Sequence, residues 1–438
     1  VKMLLELAED VKKEVSKLCD EYEIFISQSN SISLDSKMDN LNFAKDEISK
    51  GLGIRVIKDN KVGFAFTSDL NKITQTINQA IDNTKLTKSD ENFAFSQPGK
   101  VKEINGLIDK KYDDLSLEEA IDYLKSVINT ALDSGCEVTS SGFSASKYED
   151  VILNSNGVSV SNKGTGYGVG LSVNVEDGEG VSTAYDSKSS RTFNIDGDKL
   201  AEDVCKLAKD SVGGKHIETA NKDVILDYHA AVGLLSTFIS AFSAENVQRG
   251  RSILQGKLNT EIVSPNLSII DDNSLEGALG SSNTDGEGTV SCRTSLVEKG
   301  ILKSFLYDIY TANKEGCEST ANGYRGSFSG TPSVSPSNLI FDFKDSVEIS
   351  DMANGILATS VLGAHTANPI SGDFSVEVSK AFEISNGDIG SPIKKAMISG
   401  NIFELLKDCE KVNSEIKQYG SFIIPQILVH NLRVVGQE

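Results

Sequence analysis

Histidine is scarce in this 438-residue chain, with four copies, and basic charge is outweighed: 43 Lys+Arg stand against 63 Asp+Glu, a formal net charge of −20. Binding to phosphates by counterion release needs a basic face, and a field this negative repels nucleic acid and anionic lipid. Direct nucleic-acid binding is therefore not expected. No apolar run approaches the ~20 residues that span a bilayer, and Val1 to Asp20 is amphipathic rather than signal-like. A cytoplasmic protein without membrane contact is expected. Six cysteines (Cys19, Cys136, Cys205, Cys292, Cys317, Cys409) stand singly, without C-x-x-C spacing, which reads as reduced thiols rather than a disulfide framework or a zinc knuckle. His216, His229, His365 and His430 are never closer than thirteen residues, so no helix face carries the ligand pair that a mononuclear zinc site needs. The P-loop, the dinucleotide-binding glycine fingerprint, G-x-S-x-G and H-E-x-x-H are also missing.

What is present is period. Leu4, Leu5, Leu7, Ala8, Val11, Val15 and Leu18 recur at helical steps. From Glu23 the period becomes two, and Gly53-Ile54-Arg55-Val56-Ile57, Lys58 to Lys61 and Val62 to Phe66 read as a hairpin. A helix is expected over about Leu70 to Thr84. The order then returns. Ser116-Leu117-Glu118-Glu119 has capping-box form and opens a helix ending at Gly135. Strand-like stretches follow at Glu137 to Ser146, Val151 to Val160 and Gly166 to Val173, then a helix from about Lys199 to Val212. Gly51-Leu52-Gly53-Ile54 matches Gly166-Tyr167-Gly168-Val169, which points to a duplicated helix–strands–helix unit over about 1–95 and 110–215. The glycines of 164–170 alternate inside a strand pattern, which fits close backbone packing better than a phosphate cradle.

From about Lys222 the texture changes. A strand (Val224 to Leu226) and a long apolar helix from about His229 to Asn246 give way to short strands separated by Gly, Asn and Asp, and six of the seven prolines fall at or after Pro265. The expected fold is α+β: an N-terminal domain over 1–215 of duplicated helices and antiparallel strands, and a β-rich C-terminal domain over 222–438 with one long apolar helix.

The loop Leu362-Gly363-Ala364-His365-Thr366-Ala367-Asn368-Pro369-Ile370-Ser371-Gly372-Asp373-Phe374, with Ile384 to Ile389 and Ile398 to Asn401 after it, resembles the C-terminal signature of the TldD/PmbA family. Asp271 to Leu275, Asp285-Gly286-Glu287-Gly288-Thr289, Ser319 to Gly323 and the ending Pro425 to Gly436 agree. The resemblance covers essentially the whole chain. It implies one of two types: a metallopeptidase with His-Glu-x-x-x-His on the first long helix of the C-terminal domain, or a PmbA (TldE) type that lacks this motif and pairs with the first. Aligned on that motif, Ser236 and Ala241 take the two histidine places and Thr237 that of the glutamate, and Tyr419 to Phe422 stand where a cysteine ligand belongs.

The resemblance therefore implies a PmbA/TldE-type subunit with no catalytic residue and no metal of its own, zinc being expected in the catalytic partner. That partner would be a TldD-like homologue in a heterodimer or higher heteromer, with a homodimer when the chain is alone, and peptides or unfolded proteins as substrate. Gly363, His365, Asn368, Ser371, Gly372 and Asp373 are candidates for a substrate-facing loop, against which stands plain turn chemistry. Two other readings stay open. One is a stand-alone hydrolase using a non-metal site around Ser281, Ser282, Asp285 and Glu287, although no histidine is placed to activate a serine. The other is a non-enzymatic regulator of a protein target, as the family's DNA gyrase modulator label suggests.

Overall fold

A computed structural model describes residues 3–178 and 180–436. The N-terminal half runs α1 (Leu4–Val15), β1 (Glu21–Lys37), β2 (Asn40–Lys58), β3 (Lys61–Thr67), α2 (Ile73–Asn83), then α3 (Leu117–Asp133), β4 (Glu137–Asn154), β5 (Ser159–Asp177), β6 (Gly180–Ser190) and α4 (Gly197–Asp210). The strands form one antiparallel sheet in the order β3-β2-β1-β4-β5-β6, so two three-stranded meanders meet at the β1–β4 seam. Asp59 and Asn60 at the β2–β3 turn both have positive φ, the I′ geometry that matches the twist of paired strands. Ser116 and Glu119 form the capping box reciprocally, and Gly135 ends that helix at φ +71°.

β4 runs unbroken through Lys147 to Asp150, where the sequence suggests two strands. Polar residues on both faces hide the alternation there, but each is laddered to β1 between Ser27 and Asn30. Ile24, Ile26, Leu52, Ile54, Val151 and Leu153 lie under α1 and α2, and Ile32, Leu34, Phe143, Ala145, Val169 and Leu171 lie under α3 and α4. Since directly opposed residues share a face, all four helices cover one face. The other face carries the odd-numbered residues of β1, from Glu23 to Asp35.

In the C-terminal half, β7 (Ala220–Leu226), Asn354–Leu362, Asp373–Ser385, Ala396–Asn401 and Phe422–Gly436 close into a five-stranded barrel, because the last strand pairs with both Ala396–Asn401 and β7. Leu339–Phe343, Leu267–Asp272 and Arg293–Glu298 extend the sheet from that last strand. The long apolar helix expected over His229 to Asn246 is not formed. Instead α5 (Tyr228–Ile239) has 12 residues, followed by a tight turn at Ser240–Phe242 and a short helix at Ala244–Gln248. The break has a local cause. Leu306 donates to the Phe242 carbonyl (2.8 Å) and accepts from the Ala244 amide (3.0 Å), so these peptide groups are lost to the helical ladder, while the Ser240 hydroxyl caps the Thr237 carbonyl (2.8 Å). Among the described residues no helix is long and apolar enough to cross a membrane.

Candidate functional site

α5 starts at Asp227, whose carboxylate accepts from the Tyr228 amide (2.9 Å) and from Gln426 (2.8 Å), and it buries Ala230, Ala231, Leu234, Leu235, Phe238 and Ile239. Gly233 faces Val361 and Ala364, which brings the loop after Leu362 alongside the helix. Ser236, one turn on, is exposed and its hydroxyl bonds back to the Val232 carbonyl (2.6 Å). Thr237 is half-buried, and Ala241 is a buried methyl in the turn beyond the helix end. His229 is held by Asp186 (2.6 Å) against the Tyr419 ring (4.5 Å between centroids). Zinc requires three or four N, S or O ligands converging in a tetrahedron. A hydroxyl spent on its own helix and a buried methyl do not fit that ion. Among the described residues no group of three or more His, Cys, Asp or Glu is placed to hold a metal.

The loop residues are brought together, largely by bonds among themselves. The Asn368 side chain accepts from the Ile370 (2.9 Å) and Ser371 (3.2 Å) amides, Ser371 donates to Asp373 (2.8 Å), and Asn401 donates to Asp373 (2.8 Å) and to the Ser371 carbonyl (2.7 Å). Gly363 and Gly372 have φ near +80°, and a Cβ on Gly372 would lie 2.4 Å from the Phe403 ring. His365 is exposed. Asp373 is held below the ordinary carboxylate range by its bonds to Asn401 and Ser371.

The densest chemistry lies at the seam between the helix-free face of the N-terminal sheet and loops of the C-terminal half. Glu23 is fully buried. It takes a two-pronged bond from Arg55 (2.9 and 2.6 Å) and a third from Arg325, which stacks over Phe25 (4.5 Å). Arg55 also reaches Glu287 (3.3 Å), whose other oxygen accepts from the Ile309 amide (2.9 Å). Asp285 accepts from the amides of Glu287, Thr289 and Gly323, all 2.9 Å. Moving an ion out of water costs several kcal/mol, so such a cluster persists only when the partners satisfy one another. Burial alone would raise Glu23, but Arg325 and Arg55 outweigh it and hold the carboxylate low. Burial pushes Glu287 up to about 8, against the pull of Arg55 and helped by Asp285 and Asp308. Burial likewise carries Asp285 and Asp150 up to about 6.

Three of the glycines, Gly51, Gly53 and Gly164, are explained here. A Cβ on Gly51 would sit 2.3 Å from the Phe328 ring and one on Gly53 2.5 Å from the Phe328 carbonyl; in the second meander a Cβ on Gly164 would strike Arg191. Arg191 in turn donates to the carbonyls of Ala278 (3.2 Å) and Ser281 (2.9 Å) across the seam. Ser281, Asp285 and Glu287, read from sequence as a possible hydrolytic cluster, are thus buried parts of this seam, and the Ser281 hydroxyl is bonded to the Leu275 carbonyl (2.6 Å). Sequence reasoning missed Glu23, Arg55 and Arg325. The signal was a charge flanked by apolar residues within a strand: Glu23 between Tyr22 and Ile24, and Arg55 between Ile54 and Val56. An ion at that place, with apolar neighbours on the opposite face, marks a sheet covered on both sides.

Comparison with known proteins fits this architecture. Models described as the PmbA/TldA metallopeptidase domain 1, central domain and C-terminal domain match residues 22–84, 110–212 and 219–436. An uncharacterized protein of Methanocaldococcus jannaschii is 38% identical over 410 residues, 93% of this chain and 95% of its own. The crystal structure of TldE from Thermococcus kodakarensis superposes with a TM-score of 0.90 at 27% identity, over 98% of this chain and 99% of that one. A Thermotoga maritima structure labelled as a DNA gyrase modulator gives the same score and identity, over 98% of this chain and 100% of its own. On this evidence the chain belongs to the PmbA/TldD metallopeptidase family.

Proposed function

We propose that this chain is a PmbA/TldE-type subunit of a two-component cytoplasmic metallopeptidase, itself free of metal, which completes the assembly around a TldD-like homologue. The observation that carries the reading is the pair of side chains at the motif positions on and beyond α5. The Ser236 hydroxyl is turned onto the Val232 carbonyl and Ala241 is a buried methyl, so neither generates a metal-bound hydroxide near neutral pH. The partner would supply the zinc; this chain supplies surface and shape, and peptides or unfolded proteins are the substrate. Regulation of a protein target, suggested by the gyrase-modulator label of the Thermotoga maritima neighbour, is the alternative.

Purification of the chain alone and with a homologue carrying His-Glu-x-x-x-His tests this. Expected are a stable complex with zinc and chelator-sensitive peptide hydrolysis, and neither zinc nor hydrolysis for this chain alone. Stoichiometric zinc in the isolated chain, with hydrolysis that chelators abolish, would overturn the reading. A stable complex with a topoisomerase and none with the homologue would favour the alternative.

A further inference from the structure

The helix-free face of the N-terminal sheet is not fully covered. At one end the C-terminal loops sit on Glu23, Arg55, Gly51 and Gly53, and beside that contact a cavity of about 440 Å³ remains, walled by Phe25, Asp150, Arg325 and Phe328. Leading out of it, the cross-strand pairs on this face are Ser27–Asp150, Ser29–Tyr148, Ser31–Ser146 and Ser33–Ser144. At the far end a second hollow of about 410 Å³ lies over Ser33, Ser144, Gly168 and Gly170. From Ser27 to Ser33 is six residue steps, about 20 Å at the rise of a strand. Tyr148 lies over Gly164 with its hydroxyl at Arg191 (3.3 Å), so along β1 the floor between the two cavities is formed by serine hydroxymethyls over the length of about six extended residues.

Two groups at the inner end lack the partners that their chemistry asks for. Arg325 has a side chain 1% exposed, and its Nε–H finds no acceptor; a buried donor left unpaired costs about 1–3 kcal/mol. Asp150 is half-buried on the cavity wall, with the Ser27 hydroxyl and the charge of Arg325 acting on it, but it has no ion pair of its own: Arg55 and Arg325 are bound to Glu23 and Arg191 is spent on carbonyls. A ligand that fits brings a cation to Asp150, an acceptor toward Arg325, and an extended, hydrogen-bonding backbone for the serines. A peptide with a free amino terminus has all three.

We propose that this trough binds an extended peptide of about six residues, with its N-terminal ammonium at Asp150 and its backbone on the serine floor. The inference rests on the peptidase-subunit reading for the identity of the ligand, but not on any partner for its binding. Serine hydroxyls read backbone rather than side chains, so sequence preference is low.

The test uses the full chain without partner and a pool of C-terminally fluorescein-labelled heptapeptides, randomised after the first residue, read by fluorescence anisotropy. Expected is binding of the free-amine pool, weakened ~10-fold or more by N-acetylation, the size of one lost charge-assisted bond. Asp150→Asn should weaken the free pool by the same factor and leave the acetylated pool unchanged. Ser31→Phe should weaken heptapeptides while sparing a free-amine dipeptide, and remains informative if Asp150→Asn alters the thermal transition. Equal binding of free and acetylated pools, or no binding up to millimolar concentration, overturns the inference. Loss of the trough with intact assembly and hydrolysis would leave the subunit reading standing; zinc hydrolysis by the isolated chain would overturn that reading and not this one.

Discussion

The helix α5 and the seam at Glu23 contrast in an instructive way. The family's chemistry is expected on α5, yet that helix offers an exposed serine, a half-buried threonine and, past its end, a buried methyl. The seam, where no catalytic motif is expected, buries Glu23, Glu287, Asp285 and Arg325 within a few ångströms of one another. The difference teaches that buried charge marks what a fold must hold together as readily as what it must react with. Each ion at the seam is answered by an opposite ion or by backbone amides, which makes it a clamp between the two halves. On α5 no charged side chain is buried; its polar contacts, Asp227 with Gln426 and His229 with Asp186, lie at its first turn, and the motif positions further on take no part in them.

The contrast breaks first at Glu23. Glu23→Ala leaves Arg55 and Arg325 buried without their shared carboxylate and is expected to cost about 3–5 kcal/mol, read as a lowered urea midpoint; a cost below ~1 kcal/mol would mean the clamp is not a clamp. Next, Ala241→His, made to restore a motif position, forces an imidazole into a packed turn. It should cost about 1–3 kcal/mol from overpacking and bring no stoichiometric zinc in metal analysis, even when combined with Ser236→His and Thr237→Glu. Read per pH unit, the smallest effect concerns pH. Glu287 is protonated more readily in the folded than in the unfolded chain, so its folded pKa of about 8 makes stability fall as pH rises from about 4.5 through 8. Glu287→Gln should flatten that slope by at most ~1.4 kcal/mol per pH unit, measured as unfolding free energies at intervals from pH 5 to 8; Glu23, held low, acts in the opposite direction and only below that window. An unchanged slope would show that Arg55 keeps Glu287 ionised throughout.

Much of the fold was legible because local rules and tertiary demand agree. The capping box at Ser116 and the hairpin turn within Lys58 to Lys61 were readable from residue types alone, and the structure has both. The apolar stripe of Leu4, Ala8, Val11 and Val15 is buried as its period requires. Reading failed where a distant segment takes over backbone bonds. The helix from His229 stops at Ile239 because Leu306, more than sixty residues away, claims the Phe242 and Ala244 peptide groups. β4 continues through Lys147 to Asp150 because β1 ladders it, against the local polarity.

By itself the sequence determined period, turns, the family and the residue types at the motif positions, since these depend on neighbours a few places apart or on direct matching. Only the tertiary structure decided that Glu23, Arg55, Glu287 and Arg325 form one cluster, that Gly51 and Gly53 exist to admit Phe328, and that serines from β1 and β4 share one open face. The reason is physical: desolvation and pairing of charge are set by what is close in space, and 302 residues separate Glu23 from the Arg325 that neutralises it.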